Sequence, residues 1–331
     1  MGAMKHVKVI GISVLIFAVS MSTLWAQSTV LFQVPKGSTG HSIAQKLKQE
    51  GLIKREWQFK LYLKTHGLQN KLHAGSFELK TASSIKEIVT TLTEKNGAAS
   101  LVKLTIPEGY TLTEIAEALG KKNIIHNPKR FVQYVQTRGR KDLEHEFAFL
   151  SKIPTSNLEG YLFPETYTFA RGVRYKTVLK TFLSQFQNQI MPIWTQAPHK
   201  MGLHRMLTLA SIVEKEAYKH NEMSIISGVF HNRLRKRMVL ASCPTVGYAM
   251  GQPRKKFLTY ADLKYKSVYN TYTRQGLPPT PIASPGVAAF KAAMQPQKTP
   301  YLYFVSNGDG THQFSRQLKE HLRKQQVILN R

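Results

Sequence analysis

The sequence predicts an α+β fold in three parts: an N-terminal transmembrane helix, a small α/β subdomain and a larger mixed α/β domain. Three observations carry this. An uncharged, mostly apolar run of 17 residues spans Val9 to Trp25, behind Lys5 and Lys8. From Val30 onwards, short extended segments alternate with segments of helical periodicity. A strand-turn-helix pattern that begins at Val34 recurs at Ile106, where it opens the larger region and sets a boundary near residue 103. The expected parts are residues 1–27, 28–103 and 104–331.

The apolar run comes first. At about 1.5 Å per helical residue it nearly crosses a hydrocarbon core of about 30 Å, and Trp25 falls where indoles prefer the interface. A cleaved signal peptide is the competing reading. Leu24 before Ala26 makes a poor small-x-small site, although Ala18 and Ser20 offer another, so an uncleaved anchor is preferred. Either way the positive start holds the N-terminus in the cytoplasm. The expected location is therefore the cytoplasmic (inner) membrane, single-pass, with the rest periplasmic or extracellular.

The next segments read as a strand in "VLFQVPKG", a helix carrying Ile43, Ala44 and Leu47, a helix around Trp57 to Leu63, and a strand in "AGSFELK". A helix at "SSIKEIVTTL" is opened by Ser84 with Glu87 three residues on, a capping box. The repeat aligns "VPKGSTGHSIAQKL" with "IPEGYTLTEIAEAL" without gaps. Its physical content is a strand ending at proline, a glycine turn, a Thr cap and an Ile-Ala-x-x-Leu stripe. Beyond it come a helix-rich segment to Leu150, a turn and strand in "LEGYLFPETYTFA", two helices flanking "MPIWTQAPHK", the strand "YLYFVSN", a "GDG" turn and a terminal helix.

Composition restricts the function. The 47 Lys and Arg against 19 Asp and Glu leave a net charge of +28, which calls for a polyanionic partner or surface. Nucleic acid, anionic lipid and a carboxylate-rich or pyrophosphate-linked wall polymer all qualify; export and the lack of a recognition motif argue against nucleic acid. The single cysteine, Cys243, excludes an internal disulfide framework, and the twelve histidines show no metal-ligand spacing, so no metal and no cofactor is expected. There is no H-E-x-x-H, Walker loop, G-x-S-x-G or Rossmann fingerprint.

Carboxylates are more informative. After Glu165 the acids are only Glu214, Glu216, Glu222, Asp262, Asp309 and Glu320. Two sit in "LTLASIVEKEA", whose Met206, Leu209, Ala210, Val213 and Ala217 form an apolar helical face. At about 100° per residue Glu214 and Glu216 point to different sides, so they cannot act as a pair. Spacing alone leaves open which of them is functional. Solvated helix charges are the plain alternative for both, but the apolar flanks favour desolvation and a protonated acid.

Several longer segments then carry a resemblance: "IPEGYTLTEIAEAL", "LEGYLFPETY", "LASIVEKEA", "FHNRL", "PTVGYAMG", "YNTYTRQGLPPTPIASPG" and "AAMQPQKTPYLYFVSNGDGTHQFS". In this order they resemble the endolytic murein transglycosylases of the MltG/YceG-like family over nearly the whole chain. The resemblance implies a LysM-like subdomain at 28–103 and a YceG-like catalytic domain at 104–331. It also implies cleavage between N-acetylmuramic acid and N-acetylglucosamine of nascent peptidoglycan strands with 1,6-anhydro ends. The second glutamate of the "EKE" segment, Glu216, is then the catalytic residue, with Glu214 the secondary candidate on the same helix. Expected partners are glycan strands, the anionic membrane surface and, as a candidate class, peptidoglycan synthases. A non-catalytic wall-binding scaffold and a hydrolytic muramidase are the alternatives.

For substrate contacts, the run from Tyr269 to Gly286 is the expected groove. Tyr269 and Tyr272 offer faces for stacking, Asn270 and Thr271 offer donors, and Leu277, Pro278 and Pro279 form a stiff wall. A prolyl loop packed on the core is the plain alternative. Glu159 and Glu165 are expected to orient substrate, with strand-end capping and ion pairing as equal alternatives; Tyr303 and Ser315 are assigned to the same cleft. One departure stands out: the family's Gln-x-Asp-Pro-Thr-Val is "ASCPTV" here, with Ala241 and Cys243 at the Gln and Asp positions. A one-carboxylate mechanism does not need that Asp, so retained activity with altered groove polarity is expected.

Overall fold

The two copies of the repeat build two versions of one local structure, and the fold grows from them. The computed structural model describes residues 29–81, 83–94, 101–196, 201–255 and 257–330. The expected anchor at 9–25 lies outside the described residues; among these, no helix is long and apolar enough to cross a membrane.

In the first copy, strand β1 (Thr29–Val34) leads through Gly37, at φ +84°, to helix α1 (Gly40–Gln49). In the second, β3 (Val102–Thr105) leads through Gly109, at φ +76°, to α4 (Leu112–Lys121). Only glycine takes that left-handed backbone without steric cost, which fixes it at both turns. Thr39 and Thr111 cap the two helices through reciprocal capping boxes, with Ser42 and Glu114 as the returning side chains. The stripes Ile43, Ala44, Leu47 and Ile115, Ala116, Leu119 are buried as the repeat requires.

Around the first copy, α2 (Glu56–Thr65), β2 (Gly75–Lys80) and α3 (Ile85–Thr93) complete a small layer, with β1 and β2 antiparallel and Phe32 opposite Phe77. Ser84 and Glu87 close the expected capping box on α3. Its core runs from Phe32 to Leu92 and is a separate cluster from the larger one, which runs from Leu104 to Ala293.

In the larger cluster β3 pairs antiparallel with β4 (Thr166–Phe169), and α5 (Pro128–Thr137), α6 (Gly139–Leu143) and α7 (Tyr175–Gln196) pack beside them. Helix α7 corrects one expectation. It runs unbroken through "MPIWTQ" with Pro192 inside it, where two helices flanking that segment were expected. The carbonyl that Pro192 cannot engage belongs to Asn188, an exposed residue, where losing one helical hydrogen bond costs least.

Helix α8 (Leu203–Glu216) is the centre of the domain. Its apolar residues pack against α9 (Met223–Arg235), α10 (Cys243–Ala249) and α11 (Val287–Met294), and His204, Thr208 and Ser211 are buried as well. It is therefore buried on nearly every side rather than on one face, and it stops at Glu216, with Ala217 as its C-cap. The antiparallel β5 (Tyr303–Ser306) and β6 (His312–Ser315) and helix α12 (Leu318–Leu329) close the chain. Twelve α-helices and three two-stranded antiparallel sheets, among the described residues, make a mixed α and β architecture.

Because the two capping boxes serve equivalent helices in separate clusters, Thr39→Ala and Thr111→Ala should each cost about 1 kcal/mol and should add in the double variant, as urea unfolding measures.

Candidate active site

Helix α8 delivers the "EKE" segment to its carboxyl end, and each side chain takes a different direction. Glu214 accepts a hydrogen bond from the Gly286 N–H at 3.0 Å, at the start of α11. Lys215 donates to the Gly109 carbonyl at 3.2 Å, tying α8 to the second repeat's turn. Glu216 turns elsewhere and accepts a hydrogen bond of 2.5 Å from the Ser242 hydroxyl. The two glutamates thus face different sides, as their spacing requires.

Burial is the largest influence on the Glu216 carboxyl and pushes it above its usual range, while the Ser242 hydrogen bond and the charges of His312 and Arg233 pull it back. Its place in the last turn of α8 adds to the upward push, since the carboxyl end of a helix dipole disfavours an anion. Burial likewise raises Glu214. That residue, however, is spent on holding Gly286.

Ser242 is itself fixed. Its N–H donates to Thr271 Oγ1 at 3.0 Å, and the preceding Ala241 N–H donates to the Thr271 carbonyl at 2.9 Å. Ala241 sits at φ +48°, a left-handed backbone uncommon for a residue with a Cβ. Arg233, buried on α9, reaches across: Nε donates to the Leu302 carbonyl at 2.6 Å, Nη1 to the Leu240 carbonyl at 2.7 Å, and the guanidinium lies 5.1 Å from the Tyr303 ring centre. His312 on β6 is held by Glu222, which accepts from its ring Nδ1 at 2.7 Å and its backbone N–H at 3.2 Å. Cys243 Sγ lies 3.0 Å from Tyr272 Oη; although the residue is exposed, desolvation and the neighbouring Glu216 raise its thiol.

Of the expected site residues, Glu216, Tyr272 and Tyr303 therefore come together, with Tyr303 in place through Arg233. Others do not. Asn270 is fully buried, its amide donating to the Leu263 and Tyr265 carbonyls at 3.0 and 2.8 Å and its oxygen accepting from the Tyr272 N–H. Thr271 is buried, and its hydroxyl pairs with Thr245 at 2.9 Å. Both were expected to donate to substrate; they brace the loop that carries Tyr272 and Ser242 instead. Tyr269 bonds Thr280 at 2.8 Å and packs on Tyr248. Leu277 packs on the core, Pro278 is buried, and Pro279 is exposed, its carbonyl 2.8 Å from His204 Nε2. The prolyl run is thus mostly an inner brace: where a stiff groove wall was expected, only Pro279 of Leu277, Pro278 and Pro279 is exposed.

Glu159 is also turned inward. It accepts from the Leu112 N–H at 2.8 Å and from Tyr248 Oη at 3.0 Å, and burial raises its carboxyl to about 7. It caps the start of helix α4, which is neither of the two alternatives, strand-end capping and ion pairing, expected for it. Glu165 is exposed at the start of β4, accepts from the Thr166 N–H, and lines a depression with Gln33, Lys46 and Thr177 rather than joining Glu216. Ser315 is fully buried, and its hydroxyl has no partner among the described residues. A group of three potential metal ligands does not occur among them either.

Sequence reasoning did not single out Ser242, Arg233, His312 or Glu222. Arg233 carries a readable signal: it is a charged residue set among the apolar positions of "GVFHNRL", and such a residue is buried only when paired. Ser242 stands between Ala241 and Cys243, the two departures already noted. The pairing of Glu222 with His312, 90 residues apart, leaves no local trace.

Residues 32–327 match the YceG-like family. A Bacillus subtilis protein named endolytic murein transglycosylase is 34% identical over 305 residues, covering 89% of this chain and 84% of its own length. A Streptococcus pneumoniae protein of the same name is 30% identical over 297 residues and 83% of this chain, which spans about half (53%) of that longer relative. A crystal structure of a YceG-like protein from Listeria monocytogenes is 33% identical with a TM-score of 0.61, covering 90% of this chain and 100% of that one. With one family matched across nearly all of the described fold, its relatives agreeing in sequence and in structure, the chain belongs to the YceG-like family.

Proposed function

We propose that the chain is an endolytic peptidoglycan lytic transglycosylase that cuts nascent glycan strands between N-acetylmuramic acid and N-acetylglucosamine and ends their elongation. The names of the relatives support the reaction class. The observation that carries it is Glu216, a partly buried carboxyl raised by desolvation and held by Ser242, with opposite charges, not a second carboxylate, acting on it.

In this reading Glu216 starts protonated and gives its proton to the bridging oxygen as the bond from the muramic C1 breaks. The carboxylate left behind takes the proton of the C6 hydroxyl of the same ring, whose oxygen closes on C1. The proton returns to Glu216, and the products are a free hydroxyl on the departing sugar and a 1,6-anhydro ring. Hydrolysis through two carboxylates needs a partner about 5 to 9.5 Å away. Ring closure does not, because a tethered nucleophile replaces the activated water. Ser242 orients one oxygen of the acid so that the other is free to transfer, and Tyr272 and Tyr303 offer aromatic faces beside it. Cys243, where the family carries Asp, leaves Glu216 without a neighbouring anion.

The domain reading completes the proposal. Residues 1–27 are a cytoplasmic start and membrane anchor, 28–103 a LysM-like subdomain that grips glycan, and 104–331 the catalytic domain outside the cytoplasmic membrane. The +28 charge draws the enzyme to anionic lipid and to strands carrying peptide carboxylates and a lipid pyrophosphate, which also places it near peptidoglycan synthases.

Glu216→Gln should lose roughly 10²-fold or more of its rate; mass spectrometry of digested wall glycan should find no new anhydro ends, whereas reducing ends one water heavier from the wild type would point to a muramidase. The pH profile has a defined sign. Activity needs the protonated acid, so it falls as pH rises through the raised Glu216 value; Ser242→Ala removes an influence that lowers that value, so the alkaline limb of kcat/KM should move to higher pH.

A further inference from the structure

Helix α2 has one face in the core and one with no covering partner among the described residues. Phe59 and Leu63 are buried, while Trp57 and Leu61, one helical turn apart and side by side, are 55% and 51% exposed. Lys54 precedes the helix, two residues before Glu56, and Lys64 lies about one turn beyond Leu61 on the side of Trp57; both are exposed. Neither has an ion-pair partner among the described residues. Glu56, the helix's only acid, lies about 100° around the helix from Trp57 and is engaged by Lys48 at 3.3 Å. The outer face is therefore apolar at its centre and purely cationic at its ends.

We infer that this face of α2 lies on the anionic membrane surface, with Trp57 and Leu61 in the headgroup region and Lys54 and Lys64 against lipid phosphates. Tryptophan flanked by lysine is the composition that partitions to such an interface, and clustered lysines are drawn by anionic headgroups. Reach allows it. The inference rests on the anchor proposed for residues 9–25: from Trp25 to Thr29, where β1 starts, the extended chain spans about 14 Å at most. The small subdomain is then tethered within contact of the bilayer, and α2 supplies a side fit to touch it. Laid down in this way, the subdomain fixes the height at which strands are met, which a flexible tether alone would not do.

The test uses the full chain, reconstituted in vesicles of phosphatidylethanolamine and phosphatidylglycerol. The sequence has three tryptophans, so Trp25→Phe with Trp194→Phe leaves Trp57 as the only one, read with excitation at wavelengths that tyrosine does not absorb. Acyl chains brominated near the headgroup should cut its emission about twofold or more, and aqueous acrylamide should reach it poorly. Adding Lys54→Glu and Lys64→Glu should reverse both effects. If the double Phe replacement lowers the unfolding temperature, the difference between the wild-type chain and Trp57→Phe gives the same reading. Emission open to acrylamide and untouched by brominated lipid overturns the inference, and protection from both quenchers overturns it in favour of a second copy or another protein on this face. Release of the chain by alkaline carbonate overturns the anchor, and the inference with it, while leaving the Glu216 chemistry standing.

Discussion

The arrangement depends on one constraint, the partial burial of the Glu216 carboxyl at the carboxyl end of a closely packed helix. Because α8 is buried on nearly all sides, its last residue cannot drift, and its carboxyl is placed where solvation and the helix dipole both disfavour a charge. Everything near it serves that placement. Glu214 and Lys215 fasten the end of α8 to Gly286 and Gly109, and Arg233 ties Leu240 to Leu302 and so fixes the approach to Ser242. Burying an acid in this way costs stability, and the surrounding core offsets it.

Much of this was legible in the sequence where physics is local. The repeat at Val34 and Ile106 encoded two strand-turn-helix units because a left-handed glycine and a Thr cap leave few other outcomes. The divergence of Glu214 and Glu216 followed from helical angle alone. The choice between them did not: it came from family resemblance, and the structure supplies a physical difference only in what each touches, Gly286 for one and Ser242 for the other.

Polar residues were the least legible. Asn270, Thr271 and Glu159 have the side chains expected of a sugar site, yet each is committed inside the fold, because a loop or helix end that is buried must satisfy its own backbone groups first. Composition does not distinguish a donor facing substrate from one facing a carbonyl. Ser242 was missed for the same reason in reverse, since a serine beside a turn reads as turn chemistry until a distant helix brings a carboxyl to it. The Pro192 result is similar: tertiary packing carried α7 past a residue that ends most helices.

The most direct test of the central claim is a titration of the Glu216 side chain itself, by carboxyl-selective carbon NMR on the folded protein with Glu216→Gln to assign the signal. The account predicts a midpoint clearly above the ordinary 4.5 of a glutamate. A midpoint at or below that value would mean an exposed or fully charge-paired carboxylate, and would contradict the proposal that Glu216 is the proton donor.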